Sequence, residues 1–133
     1  MTQEEKILLF KDLSARLLYK VHCRVFKLNG DIKENDDVLY GIVGDNVMTL
    51  KSDKDECLMY YQIKPYLRSM SIITDEEEKE YYELCVLTSN GGYDWHYEPT
   101  LKSIDWFNSH YLDYRGLIEK GLALEAPKDM YNI

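Results

Sequence analysis

The spacing of the hydrophobic residues changes near residue 20, and this change constrains the fold more than any other feature. Before it, leucines recur at helical spacing: Leu9, Leu13 and Leu17. After it, apolar residues alternate with other residues at a period of two: Val21, Cys23 and Val25. A chain that changes period in this way must pack a helix against strands, so the sequence predicts an α+β fold.

Two T-x-x-E motifs mark helix starts, because a Thr side chain and a Glu three residues later satisfy each other's free backbone N–H groups. Thr2 and Glu5 form the first motif, and Thr74 and Glu77 form the second. They predict helices over residues 3–17 and 75–87. A third helix is expected from Pro99 or Thr100 to residue 111.

Four short apolar runs separated by turn residues predict strands near residues 21–26, 38–43, 47–51 and 57–63. Residues 33–37 are expected to form a polar loop, and residues 66–68 a fifth strand. We favour a small antiparallel sheet curled into an SH3-like barrel of four or five strands, with a flat sheet covered by helices as the alternative. One domain is expected over 1–133: a helix at 1–19, a β-rich part at 20–70 and a helical part with two or three helices at 71–133.

Most of the net charge of −8 comes from one stretch of the chain. Between residues 71 and 99 there are eight acidic residues and a single basic one, Lys79. Elsewhere sixteen acidic residues face fifteen basic ones. The balance argues against non-specific binding of nucleic acid, which needs Lys and Arg to neutralise phosphates. A helix with a solvated acidic face explains the stretch, and a surface that mimics phosphates is the alternative.

Three widely spaced cysteines lie at positions 23, 57 and 85. Their odd number and spacing suit a reducing compartment, and they lack the paired spacing of a zinc site. No apolar run approaches the roughly 20 residues of a membrane helix. We therefore expect a cytoplasmic protein with no membrane contact, no metal and no cofactor.

Trp95 lies in an aromatic stretch after two glycines, at residues 93–98, which we expect to form a loop. Exposed Trp and Tyr residues often anchor protein interfaces. The alternative is that Trp95 folds back into the core. Catalysis by Asp94 and His96 is disfavoured, because no nucleophile accompanies them.

Residues 105–115 concentrate the other candidates for a partner-binding site: Trp106, His110, Asp113, Tyr114 and Arg115. Arg115 is expected to pair with a carboxylate, of a partner or of Asp113. A catalytic triad of Ser109, His110 and Asp113 is not expected, because adjacent helical residues point about 100° apart. Binding and a buried structural network remain open as alternative roles. Tyr66 and Arg68 are the second choice for the binding site.

Three long motifs resemble one family. Residues 63–77 resemble the pattern IKPYLRxMSxxTxEE, residues 104–110 resemble IDWxNxH, and residues 113–131 resemble DYRGLIxxGLALEAPxxMY. The family consists of small proteins from gut Bacteroidales bacteria, often encoded among prophage or mobile-element genes. The resemblance implies a bacterial cytoplasm and an accessory role. It implies no activity, so no catalytic residue can be assigned from it.

Three functions remain open. The favoured one is a non-enzymatic module that binds a protein partner; its motivation is the surplus of tyrosine, 12 residues, together with Trp95 and the lack of catalytic spacing. The second is an acidic mimic of nucleic acid, using Glu76, Glu77 and Glu78 to inhibit a host enzyme. The third is a small-ligand binder or enzyme with a pocket near His96, His110 and Asp113. Direct binding of nucleic acid is not expected, and a homo-oligomer is possible.

Overall fold

The computed structural model describes residues 1–53, 55–89, 91–92 and 94–131. It confirms the α+β class. The helices in the described ranges are α1 (Gln3–Ala15), α2 (Asp75–Leu84) and α3 (Leu101–Ser109). The strands are β1 (His22–Phe26), β2 (Ile32–Val43), β3 (Asn46–Thr49), β4 (Leu58–Met59), β5 (Ile63–Leu67), β6 (Val86–Ser89), β7 (Trp95–Glu98) and β8 (Leu124–Glu125). Short 3₁₀ turns occupy Leu17–Tyr19, Tyr60–Gln62 and Met70–Ile72.

Each α-helix begins at a threonine cap. The hydroxyls of Thr2 and Thr74 accept the backbone N–H of the Glu three residues later, both at 3.1 Å, which confirms the two predicted capping boxes. Thr100 does the same for Ser103, so the third helix starts after Thr100. α2 ends at Leu84, three residues earlier than predicted.

Six strands form one open sheet in the order β4-β3-β2-β1-β5-β8. Neighbours are antiparallel except β5 and β8, which pair in parallel. The predicted closure into an SH3-like barrel is therefore wrong: the sheet is open, and α1 packs on it. Closure would need the free edge of β5, but β8 pairs with Tyr66 and Leu67 on that edge.

The predicted polar loop at residues 33–37 is instead the first half of β2. Its polar side chains have partners: Lys33 pairs with Glu56, and the Lys51 ammonium lies 3.1 Å from Glu34. Asp37 is buried and accepts the backbone N–H of Lys51 at 3.0 Å. These contacts with the loop between β3 and β4, together with the backbone pairing to β1, support a strand without an apolar pattern.

The main core lies between α1 and the sheet. Leu9 and Leu13 of α1 pack on the inward side chains of the central strands, among them Val21, Cys23, Leu39, Val47, Ile63 and Leu67. A second, smaller cluster joins α2 to α3 through Tyr81, Trp106 and Phe107. α1 and α3 therefore each bury one face, whereas the residues of α2 are at most half-buried. The hairpin of β6 and β7 forms a separate two-stranded sheet.

α3 ends in a Schellman motif. The N–H of Leu112 donates to the carbonyl of Phe107 at 3.1 Å, and the N–H of Tyr111 donates to Asn108 at 3.2 Å. Glycine is usual at the left-handed position of this motif, but here Tyr111 holds it, at a φ of 57°. Its hydroxyl donates to the carbonyl of Tyr19, and this contact compensates for the strained backbone.

The C-terminal segment is docked on the sheet through Tyr131; Asn132 and Ile133 lie outside the described residues. The Tyr131 hydroxyl accepts the N–H of His22 at 2.9 Å and donates to the carbonyl of Tyr66 at 2.7 Å. It thereby bridges β1 and β5. The Tyr131 ring stacks on Tyr111 with centroids 3.7 Å apart. Burial raises the pKa of the Tyr131 hydroxyl strongly.

A buried ion pair connects α1 to the chain after α3. Arg16 and Asp12 are both fully buried, and the Arg16 Nε lies 3.0 Å from the Asp12 carboxylate. The same guanidinium donates to the carbonyl of Leu112 at 2.6 Å. The second oxygen of Asp12 accepts from Arg115 at 2.9 Å. Asp12 therefore neutralises two arginines from distant parts of the sequence.

We expect Asp12→Asn to destabilise the protein by about 3–5 kcal/mol, because it leaves the buried Arg16 without a counter-charge. Urea unfolding monitored by circular dichroism measures the change. Glu4→Gln, an exposed substitution on the same helix, is the matched control and should change stability by less than about 0.5 kcal/mol. Should Asp12→Asn unfold the chain outright, the double variant Asp12→Leu with Arg16→Met should recover part of the loss, since it removes both charges. An Asp12→Asn variant as stable as the control would contradict the stabilising role assigned to the ion pair of Asp12 and Arg16.

Candidate functional site

Most of the predicted site residues near the end of α3 take part in structural contacts. Trp106 and Asp113 are each 8% exposed. The two carboxylate oxygens of Asp113 accept the backbone N–H groups of Leu117 and Ile118, at 2.8 and 2.9 Å. Asp113 therefore caps the turn that follows it.

Arg115 pairs with Asp12, whereas the sequence suggested Asp113 or a carboxylate of a binding partner. Its guanidinium also lies 4.4 Å from the ring centroid of Tyr114. Tyr114 stacks on Phe107 at 4.9 Å and donates its hydroxyl to the amide oxygen of Asn108 at 3.0 Å. Tyr114 and Arg115 thus link α3 to α1.

Tyr66 and Arg68 also hold elements together. The Tyr66 hydroxyl donates to the carbonyl of Asn35 at 2.7 Å. Arg68 makes two parallel hydrogen bonds to the Glu77 carboxylate, both at 3.0 Å, and a third to the carbonyl of His110. The Arg68 side chain lowers the pKa of Glu77 by favouring its ionised form. This ion pair attaches α2 to the end of β5.

His110 and Ser109 come closer than the sequence suggested, with the Ser109 hydroxyl 3.2 Å from the His110 Nδ1. The same Nδ1 lies 2.8 Å from the carbonyl of Trp106 and must donate a proton to it. A protonated Nδ1 cannot accept the hydroxyl proton of Ser109. Asp113 is occupied by two backbone N–H groups, so these residues do not form a catalytic triad.

Trp95 lies on the hairpin of β6 and β7, where the sequence predicted the end of a helix and a loop. Its side chain is 65% exposed, so it is not part of the core. The register pairs Leu87 with Tyr97 and Ser89 with Trp95. Because side chains alternate between the faces of a strand, Leu87, Trp95 and Tyr97 share one face. Tyr93 lies outside the described residues.

This aromatic face meets α2 at a shallow groove. The Tyr97 and Tyr82 rings lie 4.5 Å apart between centroids, which joins the hairpin to the helix. The groove has a volume of about 500 Å³ and is lined by Asp75, Glu78, Lys79, Tyr82, Glu83 and Tyr97. We call the groove together with Leu87 and Trp95 the hairpin surface. It combines exposed aromatic rings with three carboxylates.

The opposite face of the hairpin carries His96. Its Nε2 lies 2.6 Å from the Glu98 carboxylate, and that contact raises the pKa of His96. His96 shares no hydrogen-bond partner with His110 or Asp113 among the described residues. The three side chains that were considered for a small-ligand pocket therefore make separate contacts.

The acidic residues of α2 are not equivalent. Glu77 is committed to Arg68 and to the cap at Thr74, whereas Glu76 and Glu78 are exposed. Of the three carboxylates considered as phosphate mimics, one is therefore already neutralised within the protein.

Within the part of the chain that the structure describes, no three His, Cys, Asp or Glu residues lie close enough together to hold a metal ion. No helix there has the length and hydropathy needed to span a bilayer. Comparison with family models, with curated proteins and with solved structures finds no match.

Sequence reasoning found Trp95 but missed the strand pairing that places Leu87 and Tyr97 beside it. The sequence does contain a hairpin pattern here: two short runs rich in β-branched and aromatic residues flank Gly91 and Gly92. The acidic helix before them concealed it, since Val86 and Leu87 continue its apolar spacing.

The Glu77–Arg68 pair makes stability depend on pH. A lowered pKa in the folded state adds stability above the ordinary Glu value of 4.5, and that stability is lost as pH falls through the folded pKa. We expect Glu77→Gln to lower the free energy of unfolding by about 1–3 kcal/mol at pH 7. The deficit relative to wild type should shrink below pH 4.5.

Urea unfolding at a series of pH values between neutral and acid tests this. Glu76→Gln, one residue earlier and exposed, is the control and should run parallel to wild type. If the stability deficit of Glu77→Gln stays constant down to the lowest pH, the result would contradict a lowered pKa of Glu77 in the folded state.

Proposed function

We propose that this protein is a non-enzymatic binding module that holds a basic, partly apolar segment of another protein on the hairpin surface. The observation that carries the proposal is the exposed aromatic face of β6 and β7, beside a groove lined by carboxylates. Trp and Tyr are the residues that most often dominate the energy of protein interfaces.

The apolar exposure on this surface is large for so short a stretch. Trp95 is 65% exposed, Leu87 52% and Tyr97 49%. Removing these side chains from water against a partner would stabilise a complex by roughly 25 cal/mol for each Å² of apolar surface buried. Contiguous exposed apolar side chains with polar residues around them are typical of interaction sites.

Charge indicates the chemistry of the partner. Asp75, Glu78 and Glu83 line the groove beside the rings of Tyr82 and Tyr97. A Lys or Arg side chain can satisfy both features, because its charge pairs with a carboxylate and also lies favourably against an aromatic face. A second copy of the chain is disfavoured as the occupant, since a symmetric contact would bring the same acidic residues together.

The network around α3 supports a non-enzymatic role. His110 and Asp113, the groups that acid–base chemistry would use, are engaged with backbone atoms. The bacterial cytoplasm and the accessory role that the family resemblance implies belong to the same proposal. They are consistent with three free cysteines, at positions 23, 57 and 85.

Selection from a random peptide library displayed on phage, with the full chain immobilised, tests the proposal. We expect enriched peptides to carry Lys or Arg next to an aromatic or aliphatic residue. Fluorescence anisotropy of the best peptide should then show Trp95→Ala weakening binding by about 30-fold, the effect of losing a typical interface anchor. Glu78→Gln combined with Glu83→Gln should weaken it several-fold and reduce its dependence on salt.

Two controls match these variants. Leu18→Ala removes an apolar side chain that is 87% exposed, and Glu119→Gln removes an exposed carboxylate; neither residue lines the hairpin surface. Both should bind as wild type does, and circular dichroism should show all variants folded. Enriched peptides without basic residues, or full binding by Trp95→Ala, would contradict the proposal. If the chain instead associates with itself and Trp95→Ala abolishes this association, the occupant of the hairpin surface is a second copy of the chain and not a basic partner.

A further inference from the structure

A second groove shares no residue with the hairpin surface. It is lined by lysines and by no carboxylate. It is formed where β1 ends, the following turn begins and β5 starts, and its volume is about 300 Å³. We call it the basic groove and define it by Phe26, Lys27, Tyr61 and Lys64. The fold builds it because β1 and β5 are antiparallel neighbours, so Phe26 lies near the 3₁₀ turn that precedes β5.

One contact fixes the groove. The side-chain amide of Gln62 donates to the carbonyl of Phe26 at 2.9 Å, joining the end of β1 to that turn. Phe26, Tyr61 and Lys64 line the groove. The Lys64 ammonium lies 5.4 Å from the Phe26 centroid, and the Lys6 ammonium lies 4.5 Å from that of Tyr61.

The cations here have no carboxylate partner, although the chain has an excess of acidic residues. No ion pair within the described ranges involves Lys6, Arg24, Lys27 or Lys64. Elsewhere on the same sheet, Lys33 pairs with Glu56 and Lys51 with Glu34. Lys27 and Lys64 in the basic groove, like other lysines of the chain such as Lys11 and Lys120, thus have no described carboxylate that offsets their charge.

The register adds an independent observation. Arg24 of β1 lies directly opposite Lys64 of β5. Like charges in this position destabilise a sheet. The two side chains point to different rings, Arg24 to Tyr66 at 5.8 Å and Lys64 to Phe26. An anion bound at Lys64 would reduce this repulsion.

From these observations we infer that the basic groove binds a nucleoside monophosphate or a closely similar aromatic phosphate. The phosphate carries close to two negative charges at neutral pH and would lie between Lys27 and Lys64, which line the groove. The planar base would pack on Phe26 or Tyr61, which are rings of the kind that stack with bases. A volume near 300 Å³ is at the lower end for small-ligand sites and suits one nucleotide. A long nucleic acid is disfavoured by the net charge of −8.

Isothermal titration calorimetry of the full chain at low salt tests this inference, with AMP, adenosine and inorganic phosphate as separate probes. We expect saturable binding of AMP with a dissociation constant near 1 mM or below, and about tenfold weaker binding of the other two probes. Lys27→Gln and Lys64→Gln should each weaken AMP several-fold. Phe26→Leu should weaken AMP but leave inorganic phosphate unchanged. Lys120→Gln, an exposed substitution outside the groove, is the control.

Unliganded Lys64→Gln should also melt at a higher temperature than wild type, because it removes the repulsion with Arg24. This readout does not depend on the ligand. Absence of saturable AMP binding, or AMP binding that both Lys variants retain in full, overturns the inference. If a short peptide that contains Glu and Phe binds more tightly than AMP, the ligand of the basic groove is an acidic protein segment and not a nucleotide. None of these results affects the hairpin surface, which Trp95→Ala tests separately.

Discussion

The buried guanidinium of Arg16 is the interaction on which the rest of the structure depends. A charge removed from water costs several kcal/mol unless its partners have good geometry, so Arg16 fixes the position of whatever pairs with it. Its partners are Asp12 of the same helix and the carbonyl of Leu112, 96 residues away. Asp12 in turn binds Arg115. Helix α1 therefore holds the chain after α3 against the sheet.

The unusual backbone at Tyr111 follows from that constraint. The chain must turn sharply after α3 to present the Leu112 carbonyl to Arg16, and the left-handed residue of the turn is Tyr111. Glycine would adopt this φ without strain, but it would lose the hydroxyl contact to Tyr19 and the stacking on Tyr131. Tyr131 in turn bridges β1 and β5, so the packing of the C-terminal part and the sheet is continuous.

Sequence reasoning succeeded where the interacting groups are neighbours. The caps at Thr2 and Thr74 join groups three residues apart and were predicted with their partners. It failed where the partners are distant in sequence. Arg115 pairs with Asp12, 103 residues away, whereas the sequence pointed to Asp113, a carboxylate only two residues away. The barrel prediction failed because nothing local shows that residues 124–125 take the edge of β5. Trp95 was found by its chemistry, whereas the alignment of Leu87 and Tyr97 with it needed the strand register.

The hairpin of β6 and β7 pairs with no strand of the main sheet in the described ranges. Its hydrogen bonds can open without disturbing the cooperative unit formed by α1 and the six strands, since local opening costs less than global unfolding where few groups are buried. The fold thus separates a core of α1 and six strands from a hairpin that packs on α2. Substitutions on the exposed face of the hairpin can therefore change that surface while the core keeps its stability, so a scaffold of this kind can diverge rapidly in its surface chemistry.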